Sequence, residues 1–153
     1  GGYQVGEYLY SCGYHRALFI AETDKDSDSR RWNGFKQAME KNGGFCSRSR
    51  YVVVPQEPRR RLKKYEELLP HFLETKALAF SSDYTAVEAI NFFTDKGIRI
   101  PDQISITGFD DNFYAQIVRP KLTTIHQDVH QKAVLALRKL LLMAEGKEPA
   151  EKM

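Results

Sequence analysis

Cysteine is nearly missing from this chain. Its two cysteines, Cys12 and Cys46 among 153 residues, fit no metal-ligand spacing. A disulfide-framed secreted fold is set aside, and two free thiols in a reducing compartment are expected. No apolar run approaches the roughly 18 residues of a membrane span, and no secretory leader is visible. One-sided charge is also lacking. The 23 basic and 20 acidic residues leave a net +3, too weak a bias to imply nucleic acid. Neither Gly-x-x-x-x-Gly-Lys-[Ser/Thr] nor Gly-x-Gly-x-x-Gly occurs, so two phosphate-cradling loops are excluded. There is no Gly-x-Ser-x-Gly elbow for a nucleophilic serine. His126 and His130 stand four apart but without the His-Glu-x-x-His pattern, and His126 precedes its helix, so no metal site is expected. No cofactor is expected either.

What is present is ordinary for one globular domain with a core: 42% hydrophobic and 28% charged residues. Val5, Tyr8, Leu9 and Cys12 recur at helical spacing, giving a helix over 3–12 that Gly13 ends. Residues 16–21 read as a buried strand. Ser29 caps a helix whose apolar face is Trp32, Phe35, Ala38 and Met39, and which stops at 42–44. A strand over 51–54 and a helix over 60–74, with Leu62, Tyr65, Leu69 and Phe72 inward, come next. A strand over 77–80 leads to a helix carrying Val87, Ile90 and Phe93. Two further strands follow, 104–107 and 122–125. Asp128 and Gln131 form a capping box for a last helix burying Ala133, Ala136, Leu137, Leu140 and Leu141. Strands that are apolar throughout and alternate with helices predict an α/β fold, three layers (α-β-α) around a mainly parallel sheet.

Ligands of such sheets bind outside the carboxyl ends of the strands. That rule selects residues 22–31, 55–58, 81–83 and 108–111. Arg31 and Asp83 stand out there, because a guanidinium and a carboxylate aimed at one crevice share the hydroxyls of a polyol. The structural alternative, with Asp83 a helix cap and Arg31 solvated or salt-bridged, stays open on the residues alone. Asp110 and Asp111 read as turn-formers making loop hydrogen bonds, since neighbours in extended chain point opposite ways. The basic run over 58–64 reads as a solvated helix face. A phospho-accepting receiver domain would need a lysine after its fifth strand, whereas Lys121 precedes it.

Taken in order, several motifs resemble the effector-binding domain of lac/gal-repressor-type transcription regulators, a periplasmic-binding-protein-like fold. They are Gly13-Tyr-His-Arg16, Arg31-Trp-Asn-Gly-Phe35, Ser82-Asp83, Ile100-Pro-Asp-Gln-Ile-Ser105, Gly108-Phe-Asp-Asp111 and Leu122-Thr-Thr-Ile125. The resemblance implies a C-terminal lobe over 14–125. Segments 1–13 and 126–153 would then pack with an N-terminal lobe not in this chain, or else fold back or pair with another copy. It implies ligand contacts from Arg31, Asp83, Ser27 and Gln56, and a largely architectural acidic pair. Ser82, Glu88 and Ala133 depart from residues common in the family, and the variations at Ser82 and Glu88 fit a subgroup joined to GntR-type DNA-binding domains.

The function implied is effector sensing, the effector being a sugar or sugar derivative, in a cytoplasmic, homodimeric, non-enzymatic regulator. Ligand would change lobe closure, and operator DNA would be met only through a headpiece outside this chain. A periplasmic sugar-binding protein of a transport system is the alternative.

Overall fold

The computed structural model describes residues 1–146. In chain order it contains α1 (Gly2–Ser11), β1 (Leu18–Ala21), α2 (Asp26–Lys41), β2 (Tyr51–Val53), α3 (Pro58–Thr75), β3 (Ala77–Phe80), α4 (Asp83–Asp95), β4 (Ser105–Thr107), α5 (Phe113–Ile117) and α6 (Val129–Ala144). The four strands form one sheet in the order β2-β1-β3-β4, and every pairing is parallel. β1 and β3 are central and buried at every position, which is why their sequences are apolar without alternation.

Side chains leave a strand to opposite faces in turn, and β1 divides the core accordingly. Leu18 and Ile20 join a cluster with Tyr65, Phe72, Phe93 and Ile104, under α3 and α4. Phe19 and Ala21 join Val5, Leu9, Trp32 and Phe35, under α1 and α2. The three-layer α/β architecture follows.

Helix α1 is therefore part of this lobe. Its approach to α2 is so close that a Cβ on Gly6 would stand 2.7 Å from the Phe35 carbonyl oxygen, and one on Gly34 would stand 2.9 Å from the Tyr3 nitrogen. Of the apolar face read at 3–12, Val5 and Leu9 are buried against this lobe, whereas Tyr8 and Cys12 are exposed.

Four other expectations need correction. Lys25, not Ser29, is the N-cap residue of α2. The loop before the helix is held instead by Asp28, whose carboxylate accepts from the Glu22 and Thr23 amides at 3.2 and 3.3 Å. On α3 the inward face starts at Arg61 rather than Leu62: Arg61, Tyr65, Phe72 and Thr75 are buried, and Leu62 is exposed. The fifth strand is reduced to single parallel bridges, Thr107 to Thr123 and Asp110 to His126. Since β4 ends at Thr107, residues 122–125 lie mostly beside a turn, accepting from Gly108 and Asp110 amides at 2.9 Å each. Finally, α6 buries none of its residues. Asp128 caps it as read, accepting from the Gln131 amide at 2.8 Å, yet Leu137, Leu140 and Leu141 are all more than half exposed.

Candidate functional site

The carboxyl ends of β1, β3 and β4 open on one side of the sheet, and Arg31 reaches across them from the second turn of α2. Its Nη1 donates to the Ser81 carbonyl just past β3. Its Nη2 donates to Asp110 Oδ1 at 3.3 Å, and Asp28 Oδ1 lies 4.0 Å away. The guanidinium carbon sits 3.9 Å above the centre of the Phe109 ring, a cation–π contact that fixes the plane of the fork. Three carboxylate or carbonyl partners and an aromatic floor leave Arg31 little rotamer freedom, although about a fifth of its side chain is open to solvent.

Asp110 is the acidic partner. Its side chain is 37% exposed, and Gln127 Nε2 also donates to Oδ1, at 2.7 Å. Both Asp110 (φ +117°) and Asp111 (φ +54°) adopt positive φ, a conformation disfavoured for residues bearing a Cβ. Two consecutive strained residues at a strand end are the kind of outlier that clusters at ligand sites. The acidic pair splits in role. Asp111 turns toward His126, with Oδ2 2.8 Å from Nδ1, and accepts from Gln116 Nε2 at 3.4 Å.

Asp83 does not face the opening. It is wholly buried at the start of α4. Oδ1 accepts from the Thr124 hydroxyl at 2.5 Å and Oδ2 from the Asn112 amide at 2.8 Å, while its own amide donates to the Phe109 carbonyl at 2.9 Å. Burial pushes this carboxyl above its ordinary range, against the opposing pull of the Thr124 and Asn112 hydrogen bonds. Gly108 makes the arrangement possible, because a Cβ there would fall 2.3 Å from Asp83 Oδ1. Asp83 is thus a brace that shapes the 108–112 turn and presents Asp110 to Arg31.

The other two expected contacts are at the surface. Ser27 is exposed in the first turn of α2, and Gln56 is exposed in the loop after β2. The backbone of that loop is clamped from below by Arg61, which is 1% exposed and donates to the Pro55 and Gln56 carbonyls at 3.1 and 2.9 Å. The same guanidinium grips Glu88 on α4 through both carboxylate oxygens. One member of the basic run over 58–64 is therefore a buried clamp, and Glu88 is its counter-ion. Glu22, past β1, is held above its ordinary range, chiefly by burial; the Arg61 charge opposes the shift, and Asp28 and Glu88 add to it.

Sequence reasoning selected this edge, Arg31 and the 108–111 segment, but did not pair Asp110 with Arg31 and Gln127. The signal for Asp110 was its place just past β4, among the four segments the strand-end rule had picked. Nothing in sequence spacing separates it from Asp83. Among the described residues no group of three or more His, Cys, Asp or Glu is arranged to hold a metal ion. Chemically, the opening offers a fixed donor fork and a shared carboxylate, a set suited to holding hydroxyl groups.

A family model described as a periplasmic binding protein-like domain matches residues 7–153. The HTH-type transcriptional repressor PurR of Haemophilus influenzae (strain ATCC 51907 / DSM 11121 / KW20 / Rd) is 33% identical over 128 residues, 83% of this chain and 38% of that protein. The probable HTH-type transcriptional repressor ExuR of Bacillus subtilis (strain 168) is 33% identical over 164 residues, 100% of this chain and 46% of that protein. This chain spans less than half the length of these curated relatives. The solved complex of the transcriptional regulator CelR with cellobiose has a TM-score of 0.85 at 23% identity, covering 97% of this chain and 46% of that one. A putative transcriptional regulator LacI from Bacillus cereus subsp. cytotoxis has a TM-score of 0.86 at 22% identity, covering 99% and 54%. At such identities the structural likeness carries the fold alone. The family match over nearly the whole chain establishes that the chain belongs to the periplasmic binding protein-like domain family.

Proposed function

We propose that this chain is the effector-sensing lobe of a bacterial transcription regulator, and that its effector is a sugar or sugar derivative. The observation that carries the reading is the Arg31–Asp110 pair, held at 3.3 Å on a strained turn at the carboxyl ends of the strands. Arg31 donates to ligand oxygens and Asp110 accepts from ligand hydroxyls. Ser27 and Gln56 supply further contacts, and Asp83 acts through the turn it braces. Both relatives described above are named as transcriptional repressors, which favours a regulator over a transport protein. One solved neighbour is a cellobiose complex, which supports a sugar as the class.

Binding rather than turnover is the chemistry the opening serves. A ligand gripped here and by a facing lobe favours one closure angle over another, a population shift passed to DNA-binding segments elsewhere in the protein. The protein works in the cytoplasm as a homodimer. Tyr84, Phe113, Tyr114 and Ile117 form an exposed apolar patch, with the Tyr84 and Tyr114 rings 6.0 Å apart, and this patch supplies the face for a second copy.

The test is calorimetric titration of the full-length regulator with a panel of sugars and sugar phosphates. One sugar is expected to bind, with Arg31→Ala and Asp110→Ala each weakening it at least about tenfold, or 1.4 kcal/mol. Binding that survives both substitutions would remove the pair from the site; no binding by any sugar would remove the sugar class.

A further inference from the structure

A second opening lies away from Arg31, on the outer edge of the sheet. Helix α1 packs toward α2, and β4 has only three residues, so a trough is left between α1 and the β4 edge. It comprises a cavity of about 340 Å³ and an adjoining one of about 220 Å³, with Tyr8, Thr107 and Thr123 lining both. The larger falls in the size range of small-molecule sites.

Its chemistry is uneven in a useful way. Leu9, Ile100, Pro101 and Ile106 supply apolar parts of the lining. The Tyr14 hydroxyl lies 2.6 Å from Ser105 Oγ, at the polar end. Among the described residues, Lys121 is the only charged one on the lining, and no carboxylate accompanies it. Thr107 is 4% exposed, and among the described residues its Oγ1 is the one buried side-chain polar atom without a hydrogen-bond partner. An unpaired buried hydroxyl is unfavourable, and other hydroxyls nearby are paired, as Thr124 is with Asp83.

We propose that this trough is a second small-molecule site, separate from the one at Arg31, that takes an organic monoanion with a compact apolar body. Lys121 meets the acid group, Thr107 supplies a hydroxyl to it, and the apolar lining takes the remainder. A lone cation with no acid nearby selects against cationic ligands, and the small volume selects against polymers.

Cys12 lines the same cavity and is exposed, so it reports occupancy directly. The experiment follows iodoacetamide alkylation of Cys12 in the full-length protein, resolved from Cys46 by peptide mass, with millimolar 3-phenylpropionate and its neutral amide as probes. The carboxylate is expected to slow alkylation about fivefold or more and the amide less than about twofold. Lys121→Met is expected to abolish the difference between the probes, Thr107→Val to weaken protection, and Arg31→Ala to leave it intact. Four results would overturn the proposal: no protection by the carboxylate, equal protection by the amide, protection undiminished in both Lys121→Met and Thr107→Val, or protection lost in Arg31→Ala. A Cys12 that does not react without probe would overturn it as well, because the trough would then be closed.

Discussion

Asp83 shows how a residue can be placed by its sequence while the direction of its side chain is not. Its position at the end of β3 and start of α4 was legible, and so was that of Arg31. What sequence does not carry is the direction of a side chain where a strand becomes a helix. Here it is settled by Gly108, whose missing Cβ lets the carboxylate lie inward against residues 112 and 124. The inward placement has a measurable consequence. Burial, set against the hydrogen bonds from Thr124 and Asn112, holds the Asp83 carboxyl above its ordinary 3.8. The folded state therefore binds this proton more tightly than the unfolded chain does. The associated stability is fully present below pH 3.8 and is lost as pH rises through the folded value. Asp83→Asn removes that slope. Urea unfolding of both proteins from about pH 3 to about pH 7 is expected to show the wild type losing ground to the variant as pH rises. Parallel curves would mean that burial is not felt by this carboxyl.

At the level of elements, five of the six helices were located by regularly spaced apolar residues and all four strands by short apolar or alternating runs. It failed where tertiary contacts override spacing. Arg61 entered the core of α3 because Glu88 and two loop carbonyls await it, and no amphipathic pattern contains that information. The helix α5 is five residues long, too short for a periodic signal. The crossing of α1 over α2 was equally hidden, since it depends on glycines that meet only in space. Gly6→Leu is expected to destabilise the fold by about 1–3 kcal/mol through overpacking against Phe35 and Ala38. Gly13→Asn is the control, because nothing lies within 4 Å of a Cβ there and asparagine tolerates positive φ. Thermal denaturation followed by circular dichroism distinguishes them; equal melting temperatures would show that the helices separate at no cost.

For the molecule as a whole, α6 is the feature out of balance. The apolar spacing read from its sequence is real, but the burial it implied is not made among the described residues. Leu137, Leu140, Leu141 and Met143 remain in contact with solvent, and a continuous apolar surface of that kind drives association. The 153-residue chain alone is expected to sediment as a concentration-dependent oligomer. Leu137→Glu combined with Leu141→Glu is expected to remove the association made through α6, leaving the homodimer proposed at Tyr84 and Phe113, with little change in melting temperature, since neither residue packs in the core. A chain that is monomeric at every concentration before substitution would show that this helix is not the adhesive surface.

The Arg31–Asp110 pair joins residues 79 apart in sequence, and the Gln127–Asp110 bond reaches back a further 17 positions. No hairpin or single helix–strand unit contains the opening; it exists only once β4 has been laid beside β3 and the chain has returned past residue 125. Contacts of such long range are entropically the slowest to close. During synthesis, α1, β1 and α2 are complete long before anything can be gripped. Under the proposed function, effector capture would mark the end of this lobe's folding, so that ligand added to a refolding reaction would register the finished topology rather than any intermediate on the way to it.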